Sequence, residues 1–586
     1  MLGGQALPVV RGSGRERLRR READNERPAM TRPPPEPGVP AASPATVRGA
    51  LLARSEIALL DVRPEGRFAE GHPLFAASFP LGRLEAEVFD RLPLRSVPIV
   101  VYGDGPDDAG AAVRRLRHLG YRDVSVLAGG LAGWVAAGGE LFRDVNAPSK
   151  AFGELVEATA GTPAVAAGQL RALLRSGADV VVLDARRFEE YHTMSIPTAT
   201  SVPGAELVAG VSALAPEPAT MVVVNCAGRT RSIIGTQSLI NAGSPNRVAA
   251  LRNGTIGWTL AGLDLDHGQD RRVTAVPAGT ARRAKAAAWA VASKAGVRRI
   301  RVGELRSLAD GGRRTVYRFD VRSPEEYAAG HLAGFRPAPG GQLVQETDWF
   351  APVRGALIVL ADDDGGRAAM TASWLAQMGW ETAVLLGGQA AGPAEARSAG
   401  ARPTEAGPGE AGAIEAGPWT PELPPLPAEV RLAGPAQLDD WLQAGEALVI
   451  DVDTSRLFLA GHVPGAAWAL RADLSGTGLL DRLGWPPRLV LTSADGFLAA
   501  FAAADVPARP GTEVTALAGG TSGWASSGRP LQAGQGPMLS PLVDVYRRPY
   551  EGTGVDAAAM QAYLDWEHGL VAQLATDGTH GFTVLT

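Results

Sequence analysis

A segment of roughly 100 residues occurs four times in this chain, and that repetition constrains the fold more than any other feature. Each copy contains a hydrophobic run that ends in an aspartate: Asp61, Asp184, Asp320 and Asp451. A second hydrophobic run leads to the position 42 residues later, which holds Gly103, Cys226, Asp362 and Ser493. Hydrophobic runs that alternate with helical patterns are typical of βα units around a parallel sheet. The sequence therefore predicts an α/β protein of four tandem domains, each a parallel sheet flanked by helices.

The repeat also predicts where the domains begin and end. The four copies are placed at 44–144, 160–268, 296–396 and 427–532. The segments between and beside them are predicted as a disordered N-terminal segment (1–43), a helical connector (278–295), an Ala/Gly/Pro-rich linker (397–426) and a C-terminal helical tail (540–586). We expect the tail to pack on the fourth copy. Met30 is a second candidate, beside Met1, for the start of the protein.

Composition excludes several classes of function. The 586 residues carry a formal net charge of −5, which argues against a nucleic-acid partner or an anionic membrane surface. The chain has neither a run of 18 apolar residues nor the apolar core of a signal peptide, so we expect a cytoplasmic protein without a membrane span. A single cysteine excludes an intramolecular disulfide. No cluster has metal-ligand spacing, and neither a metal nor a cofactor is expected.

Cys226, that single cysteine, stands between a hydrophobic run and a helix-like segment that begins at Ser232. The residues between them form a loop that contains Gly228, Arg229 and Arg231. Backbone N–H groups at a helix start and neighbouring arginines stabilise a thiolate. We therefore predict a reactive cysteine with a lowered pKa, and Ser232 as the cap of the helix. A buried structural cysteine is the alternative interpretation.

Together these motifs resemble the rhodanese-like sulfurtransferase family over residues 44 to 532. The resemblance rests on the Asp-Val-Arg strand end, on the Gly-His turn of three copies, on the loop after Cys226, and on a closing Gly-rich turn before Trp134, Trp258 and Trp524. It implies four tandem rhodanese domains, each with a five-stranded parallel sheet. It also implies a ping-pong reaction, in which the cysteine takes a sulfane sulfur from a donor and passes it to an acceptor.

The resemblance assigns roles to residues of the second copy. Cys226 becomes the catalytic nucleophile of a thiosulfate-sulfurtransferase-like enzyme that passes through a persulfide. The substrate-binding residues are then Ala227, Gly228, Arg229, Thr230, Arg231 and Arg186, with Gly228 the residue expected to need an unusual φ. Arg229 and Arg231 either recognise an anionic donor or point into solvent. Asp184 is expected to form a buried structural ion pair near the site.

The other three copies lack the cysteine and are predicted to be inactive. Because no second thiol exists in the chain, the acceptor must come from outside, as cyanide, a small thiol or a protein thiol. The main alternative is a non-enzymatic rhodanese-like scaffold with Cys226 as a redox sensor. A cysteine-dependent phosphatase is a weaker alternative, because its loop places five residues between Cys and Arg where this loop has four before Arg231. The oligomeric state is left open.

Overall fold

The structure is a computed structural model that describes residues 38–388 and 413–586, apart from 274, 550, 552, 553 and 555. Most of the predicted disordered segment (1–37) and residues 397–412 of the predicted linker lie outside the described residues. The described residues form four main sheets that follow one another along the chain, and one separate two-stranded sheet.

Domain 1 begins earlier than the repeat indicated. Its strands are β1 (Ala41–Ala42), β2 (Ile57–Asp61), β3 (Ala76–Ser78), β4 (Ile99–Tyr102) and β5 (Val124–Leu127). Its helices are α1 (Pro44–Leu52), α2 (Glu65–Glu70), α3 (Leu84–Arg91), α4 (Pro106–His118) and α5 (Gly130–Ala136), with a 3₁₀ turn at Leu81–Arg83. β1 falls inside the segment predicted as disordered, yet it pairs in parallel with β5 through Ala41 and Val126. Two residues are too few for a visible strand pattern, which explains that error.

Domain 2 is preceded by α6 (Ala147–Ala160), a helix that the repeat did not reveal. The strands are β6 (Ala164–Val165), β7 (Val180–Asp184), β8 (Thr200–Ser201), β9 (Met221–Asn225) and β10 (Val248–Leu251). They form a parallel sheet in the order β6-β10-β9-β7-β8, so β9 is central. The helices are α7 (Ala167–Ser176), α8 (Phe188–Thr193), α9 (Leu207–Leu214), α10 (Thr230–Asn241) and α11 (Gly254–Leu260), with a 3₁₀ turn at Gly204–Glu206. The connector helix α12 (Ala278–Lys294) follows.

Domain 3 repeats the parallel sheet with β11 (Arg298–Ile300), β12 (Val316–Asp320), β14 (Arg336–Pro337), β16 (Leu357–Ala361) and β17 (Glu381–Leu385). Its helices are α13 (Val302–Asp310), α14 (Pro324–Ala329), α15 (Gly340–Gln345), α16 (Thr347–Phe350) and α17 (Gly366–Gln377). Two further pairings tie this domain to other segments. β15 (Val353–Arg354) adds to the domain 1 sheet antiparallel to β2, and β13 (His331–Leu332) pairs with β18 (Ile414–Glu415) of the predicted linker.

Domain 4 has the same sheet again, with β19 (Arg431–Ala433), β20 (Ala447–Asp451), β21 (Ala467–Trp468), β22 (Arg488–Thr492) and β23 (Glu513–Leu517). The order β19-β23-β22-β20-β21 matches that of domain 2. Its helices are α18 (Pro435–Gln443), α19 (Ser455–Ala460), α20 (Arg471–Leu474), α21 (Thr477–Arg482), α22 (Phe497–Asp505) and α23 (Gly520–Ser526). The predicted fold class is confirmed, because a parallel sheet flanked by helices recurs in each domain.

The last helix, α24 (Ala557–Asp577), does not pack where we expected it. One hydrophobic core runs through domains 1, 2 and 3 and includes Leu570 and Leu574 of α24, while domain 4 has separate cores. The helix lies against α6 and α11 instead of the fourth copy. Among the described helices, none is long and apolar enough to cross a membrane.

Candidate functional site

Cys226 lies at the carboxyl end of the central strand of domain 2, where parallel sheets place their sites. The preceding run is buried from Val222 to Asn225 because helices cover both faces of the sheet. The chain then turns through Ala227, Gly228 and Arg229 before α10 begins. Cys226 itself is only 2% exposed.

The start of α11 fixes the backbone of this loop. The Thr255 N–H donates to the Cys226 carbonyl at 2.9 Å, and the Ile256 N–H donates to the Ala227 carbonyl at 2.9 Å. Gly254 permits this approach, because its φ is +53° and a side chain there would collide with the loop carbonyls. A trans peptide holds its N–H opposite its carbonyl, so the N–H groups of Ala227 and Gly228 face the other side of the loop. Neither N–H has a backbone acceptor among the described residues.

The thiol of Cys226 contacts the first turn of α10. Its Sγ lies 3.4 Å from the Ser232 hydroxyl, which itself donates to the Arg229 carbonyl at 2.8 Å. Ser232 is therefore not the helix cap that we predicted. The helix begins at Thr230 with Arg229 in the cap position, because the loop is shorter than the sequence pattern suggested. Gly228 also lacks the left-handed φ that we expected.

The pKa of the Cys226 thiol is raised, the reverse of our expectation. Burial is the main cause, and the charge of Glu567 acts in the same direction. The charge of Arg231 and hydrogen bonds with Ser232 oppose that rise. The groups expected to favour the thiolate are thus present, but the near-complete burial of the sulfur has no local signal in the sequence.

Arg229 matches neither of the roles considered for it. Its guanidinium is buried and donates to both carboxylate oxygens of Glu154, at 2.6 and 2.8 Å. It also pairs with Glu157 and donates to the Asn253 side chain at 3.0 Å. The side chain joins the loop to α6 and α11, and its charge is already balanced by two carboxylates.

Arg231 pairs with a different helix from Arg229. It forms a bidentate pair with Glu190 of α8, with N–O distances of 2.7 and 2.8 Å. Burial opposes ionisation of Glu190, yet the Arg231 charge holds the pKa of that carboxyl far below its usual range. Arg231 also lines a cleft of about 650 Å³ between domains 2 and 3, as does Arg186, whereas Cys226 is absent from the cleft wall.

Asp184 and Arg186 form a buried, bidentate ion pair at the end of β7, with N–O distances of 2.9 and 2.8 Å. Asn225 donates to the same carboxylate at 2.9 Å, which ties this pair to the strand that carries Cys226. Arg186 also donates to the Met194 carbonyl at 2.6 Å. Arg63 and Arg322 make equivalent bonds in the cysteine-free domains, to Gly71 and Gly330. The geometry gives Arg186 a structural role that does not depend on the cysteine.

Two helices outside the predicted domains contribute residues that sequence reasoning missed. α6 supplies Glu154 and Glu157, which hold Arg229, and Thr230 packs on Gly153 of the same helix. α24 supplies Tyr563 and Glu567, which lie over Gly228. A helix at α6 could have been predicted from Pro148 at its start and Gly161 at its end. The approach of α24 has no local signal in the sequence.

At the positions equivalent to Cys226 in domains 1, 3 and 4, side chains of the protein occupy the space or bind backbone N–H groups. In domain 1 a side chain at Gly103 would meet Asp108, whose Cβ would be 2.8 Å away. In domain 3 the Asp362 carboxylate accepts the N–H groups of Gly365 and Ala368, the latter at 3.0 Å. In domain 4 the Ser493 hydroxyl accepts the Ala499 N–H at 3.2 Å.

Comparisons with known proteins agree with this geometry. The family model for the rhodanese-like domain matches residues 44–137, 166–261 and 301–391. A crystal structure of thiosulfate sulfurtransferase from Pseudomonas aeruginosa is 55% identical, with a TM-score of 0.87, and covers 94% of this chain and 100% of that chain. A crystal structure of the Alr3790 protein from Anabaena sp. is 31% identical and covers 18% of this chain and 83% of that chain, with a TM-score of 0.17. No curated protein matches the chain.

The fold, the repeated strand ends and these matches define a tandem-repeat sulfurtransferase of the rhodanese type. The chain belongs to the rhodanese-like family, as its motifs predicted. The family model matches three of the four repeats, and the fourth is recognised here by its identical sheet order.

Proposed function

We propose that Cys226 carries a sulfane sulfur between an anionic donor and a thiophilic acceptor. The thiolate attacks the outer sulfur of the donor, the S–S bond of the donor breaks, and sulfite leaves with the electron pair when the donor is thiosulfate. The acceptor then attacks the outer sulfur of the Cys226 persulfide, which releases the thiolate. Both steps balance without a cofactor or a second cysteine.

The observation that carries the proposal is the open backbone of the loop. The N–H groups of Ala227 and Gly228 lack backbone acceptors among the described residues and face the side opposite the fixed carbonyls. Such groups stabilise negative charge on a bound anion or on a persulfide. The domain 3 loop supports this interpretation more generally, since there the Asp362 carboxylate, at the position of Cys226, accepts the N–H groups of Gly365 and Ala368 from the same loop and helix start.

Thiosulfate is the proposed donor. The support is the name of the relative from Pseudomonas aeruginosa, together with the cationic Arg231 beside the loop. The proposed acceptor is cyanide or a thiol, free or on a protein, because Cys226 is the chain's single thiol. Arg229 is proposed to hold the loop, because its charge is balanced by Glu154 and Glu157. Domains 1, 3 and 4 are proposed to be inactive in sulfur transfer.

Intact-protein mass spectrometry after brief incubation with thiosulfate tests the proposal. Wild-type protein should gain one sulfur atom, and cyanide should remove it. Cys226→Ser should gain none. Ser493→Ala is the matched control, because it alters the equivalent position in domain 4, and it should load like wild type. Loading that persists in Cys226→Ser would contradict the assignment of the nucleophile. Absence of loading with thiosulfate, mercaptopyruvate or glutathione persulfide would favour the redox-sensor alternative.

A further inference from the structure

The C-terminal helix α24 lies outside the four domains, yet it covers the loop that follows Cys226. A side chain placed on Gly228 would have its Cβ 3.4 Å from Glu567 Oε2 and 3.4 Å from the Tyr563 ring. Ile256, whose N–H holds the loop carbonyl, packs in one cluster with Met560, Tyr563 and Leu564 of α24. The absence of a side chain at Gly228 thus makes room for these two residues.

Glu567 is placed unusually for a carboxyl group. It is 1% exposed, and its Oε1 accepts a hydrogen bond from the Tyr563 hydroxyl at 2.8 Å. Its Oε2, the atom that faces the loop, is buried and has no hydrogen-bond partner among the described residues. A buried carboxylate with an unpaired oxygen is costly, whereas a buried carboxylic acid can donate to a ligand from that position. The unpaired oxygen therefore indicates that the Glu567 carboxyl is protonated and can donate a hydrogen bond to a ligand.

We propose that Glu567 is a further functional residue of the Cys226 site, one that admits an anion to the loop when neutral and opposes both that anion and the thiolate when ionised. The part of this proposal that concerns the anion rests on the proposed function. The part that concerns the thiolate does not, because it depends only on the proximity of Glu567 to Cys226.

The charged groups around Glu567 determine the pH at which its carboxyl group loses its proton. Lys150 and Glu154 face it from α6, Arg229 from the loop and Tyr563 from α24. Burial is the main reason that the pKa of Glu567 is raised to about 8, and Glu154 adds to the rise. Lys150, the Tyr563 hydrogen bond and Arg229 oppose it. Since ionised Glu567 also raises the pKa of Cys226, the thiolate becomes harder to form as pH rises through about 8.

The test uses the ultraviolet absorbance of the thiolate, which reports on Cys226 alone because the chain has one cysteine. Cys226→Ser gives the background to subtract. Glu567→Gln keeps the shape of the side chain but cannot ionise, so its thiol pKa should be lower than that of wild type by roughly one unit. Asp565→Asn is the matched control, since it removes one charge from the exposed face of the same helix, and its titration should match wild type. Equal thiol pKa values in wild type and Glu567→Gln would overturn the proposal.

A second variant covers the case in which Glu567→Gln fails to fold. Tyr563→Phe removes the hydrogen bond that stabilises the ionised carboxylate, so Glu567 should stay protonated to higher pH and the thiol pKa should fall part of the way. Infrared spectroscopy should show a protonated-carboxyl band that Tyr563→Phe retains to higher pH than wild type, while the contribution of Asp451 is the same in both proteins. Identical loss of that band with pH in the two proteins would also overturn the proposal.

Sulfur transfer provides a separate readout for the anion. The KM for thiosulfate should rise above about pH 8 in wild type but not in Glu567→Gln. A KM with the same pH dependence in both proteins would overturn the anion part. If the thiol titration shifts as expected while no sulfur is loaded, Glu567 faces Cys226 and the proposed function is what has failed.

Discussion

The loops of domains 2 and 3 are built alike around their strand ends but differ in what occupies the centre. Each has a bidentate Arg–Glu pair, with Arg231 bound to Glu190 and Arg367 bound to Glu326, at N–O distances of 2.7 to 3.0 Å. At the centre, domain 2 has the Cys226 thiol and domain 3 has the Asp362 carboxylate, which accepts two backbone N–H groups. The domain 3 loop therefore already holds a carboxylate of the protein itself, whereas the domain 2 loop is available to an anion from solution.

The two loops are also covered by different helices. In domain 3, α12 lies over the loop, and a Cβ on Gly365 would be 3.4 Å from the ring of Trp289. In domain 2, α24 lies over the loop with Tyr563 and Glu567. An apolar cover suits a loop whose N–H groups are already satisfied, whereas a cover with an unpaired carboxyl oxygen suits one that receives a ligand. The comparison predicts that changes at the centre of the domain 2 loop alter chemistry, while equivalent changes in domain 3 do not.

The largest expected effect comes from giving domain 2 the central residue of domain 3. Cys226→Asp should abolish sulfur transfer, a loss on the order of 10⁴-fold or more, because it removes the nucleophile. The protein should remain folded, since a carboxylate there can accept loop N–H groups as Asp362 does. Cyanide-dependent turnover and thermal unfolding measure the two properties. Turnover above one-hundredth of the wild-type rate would mean that the nucleophile does not lie in the domain 2 loop.

The next effect concerns Arg229, whose place in domain 3 is taken by Gly365. Arg229→Met should destabilise the protein by roughly 3 kcal/mol, because it leaves the buried Glu154 without its partner. Arg187→Met, at a half-exposed arginine beside the same domain, should cost less than about 0.5 kcal/mol. Denaturant unfolding measures both. If Glu154→Gln added to Arg229→Met failed to recover part of the loss, the ion pair would not be its cause.

The strand end of domain 4 lacks the arginine that pairs with the aspartate in the other three domains. Asp451 is followed by Asp453 where the other domains have Arg63, Arg186 and Arg322. Burial raises the pKa of Asp451 to about 7, although the Asp453 N–H opposes the rise and the Asp453 charge adds to it.

Because the folded-state pKa of Asp451 lies above the value of about 3.9 expected when unfolded, its contribution to stability is complete below about pH 4 and is lost as pH rises through 7. Asp451→Asn should therefore remain about 2 kcal/mol more stable than wild type at neutral pH and lose this advantage in acid. Unfolding followed between pH 4 and 8 measures this. Asp320→Asn is the control, and it should destabilise domain 3, because it removes the buried carboxylate that pairs with Arg322 and leaves only the more exposed Asp363.

The sequence allowed the four sheets, their order along the chain and the position of Cys226 to be predicted, because repetition makes weak local patterns add up. It did not allow the covers of the site to be predicted. α6 lies outside the repeated segment, and Glu567 reaches Gly228 across more than 330 residues of chain. The error in the pKa of Cys226 has a related origin, since the burial that raises this pKa arises only in the folded chain. The pattern likewise placed the helix start at Ser232, whereas the short loop starts it at Thr230.

The smallest expected effect separates the two arginines that the loops share. Arg231→Ala should raise the thiol pKa of Cys226 by roughly one unit and slow its alkylation at neutral pH about tenfold, because the Arg231 charge favours the thiolate. Arg367→Ala breaks the matching pair in domain 3, so it should cost similar stability but leave the thiol titration unchanged. Arg231→Lys keeps the positive charge and should recover most of the reactivity. Equal thiol pKa values in wild type and Arg231→Ala would mean that the pair with Glu190 cancels the Arg231 charge, and the two arginines would then serve only to hold their loops.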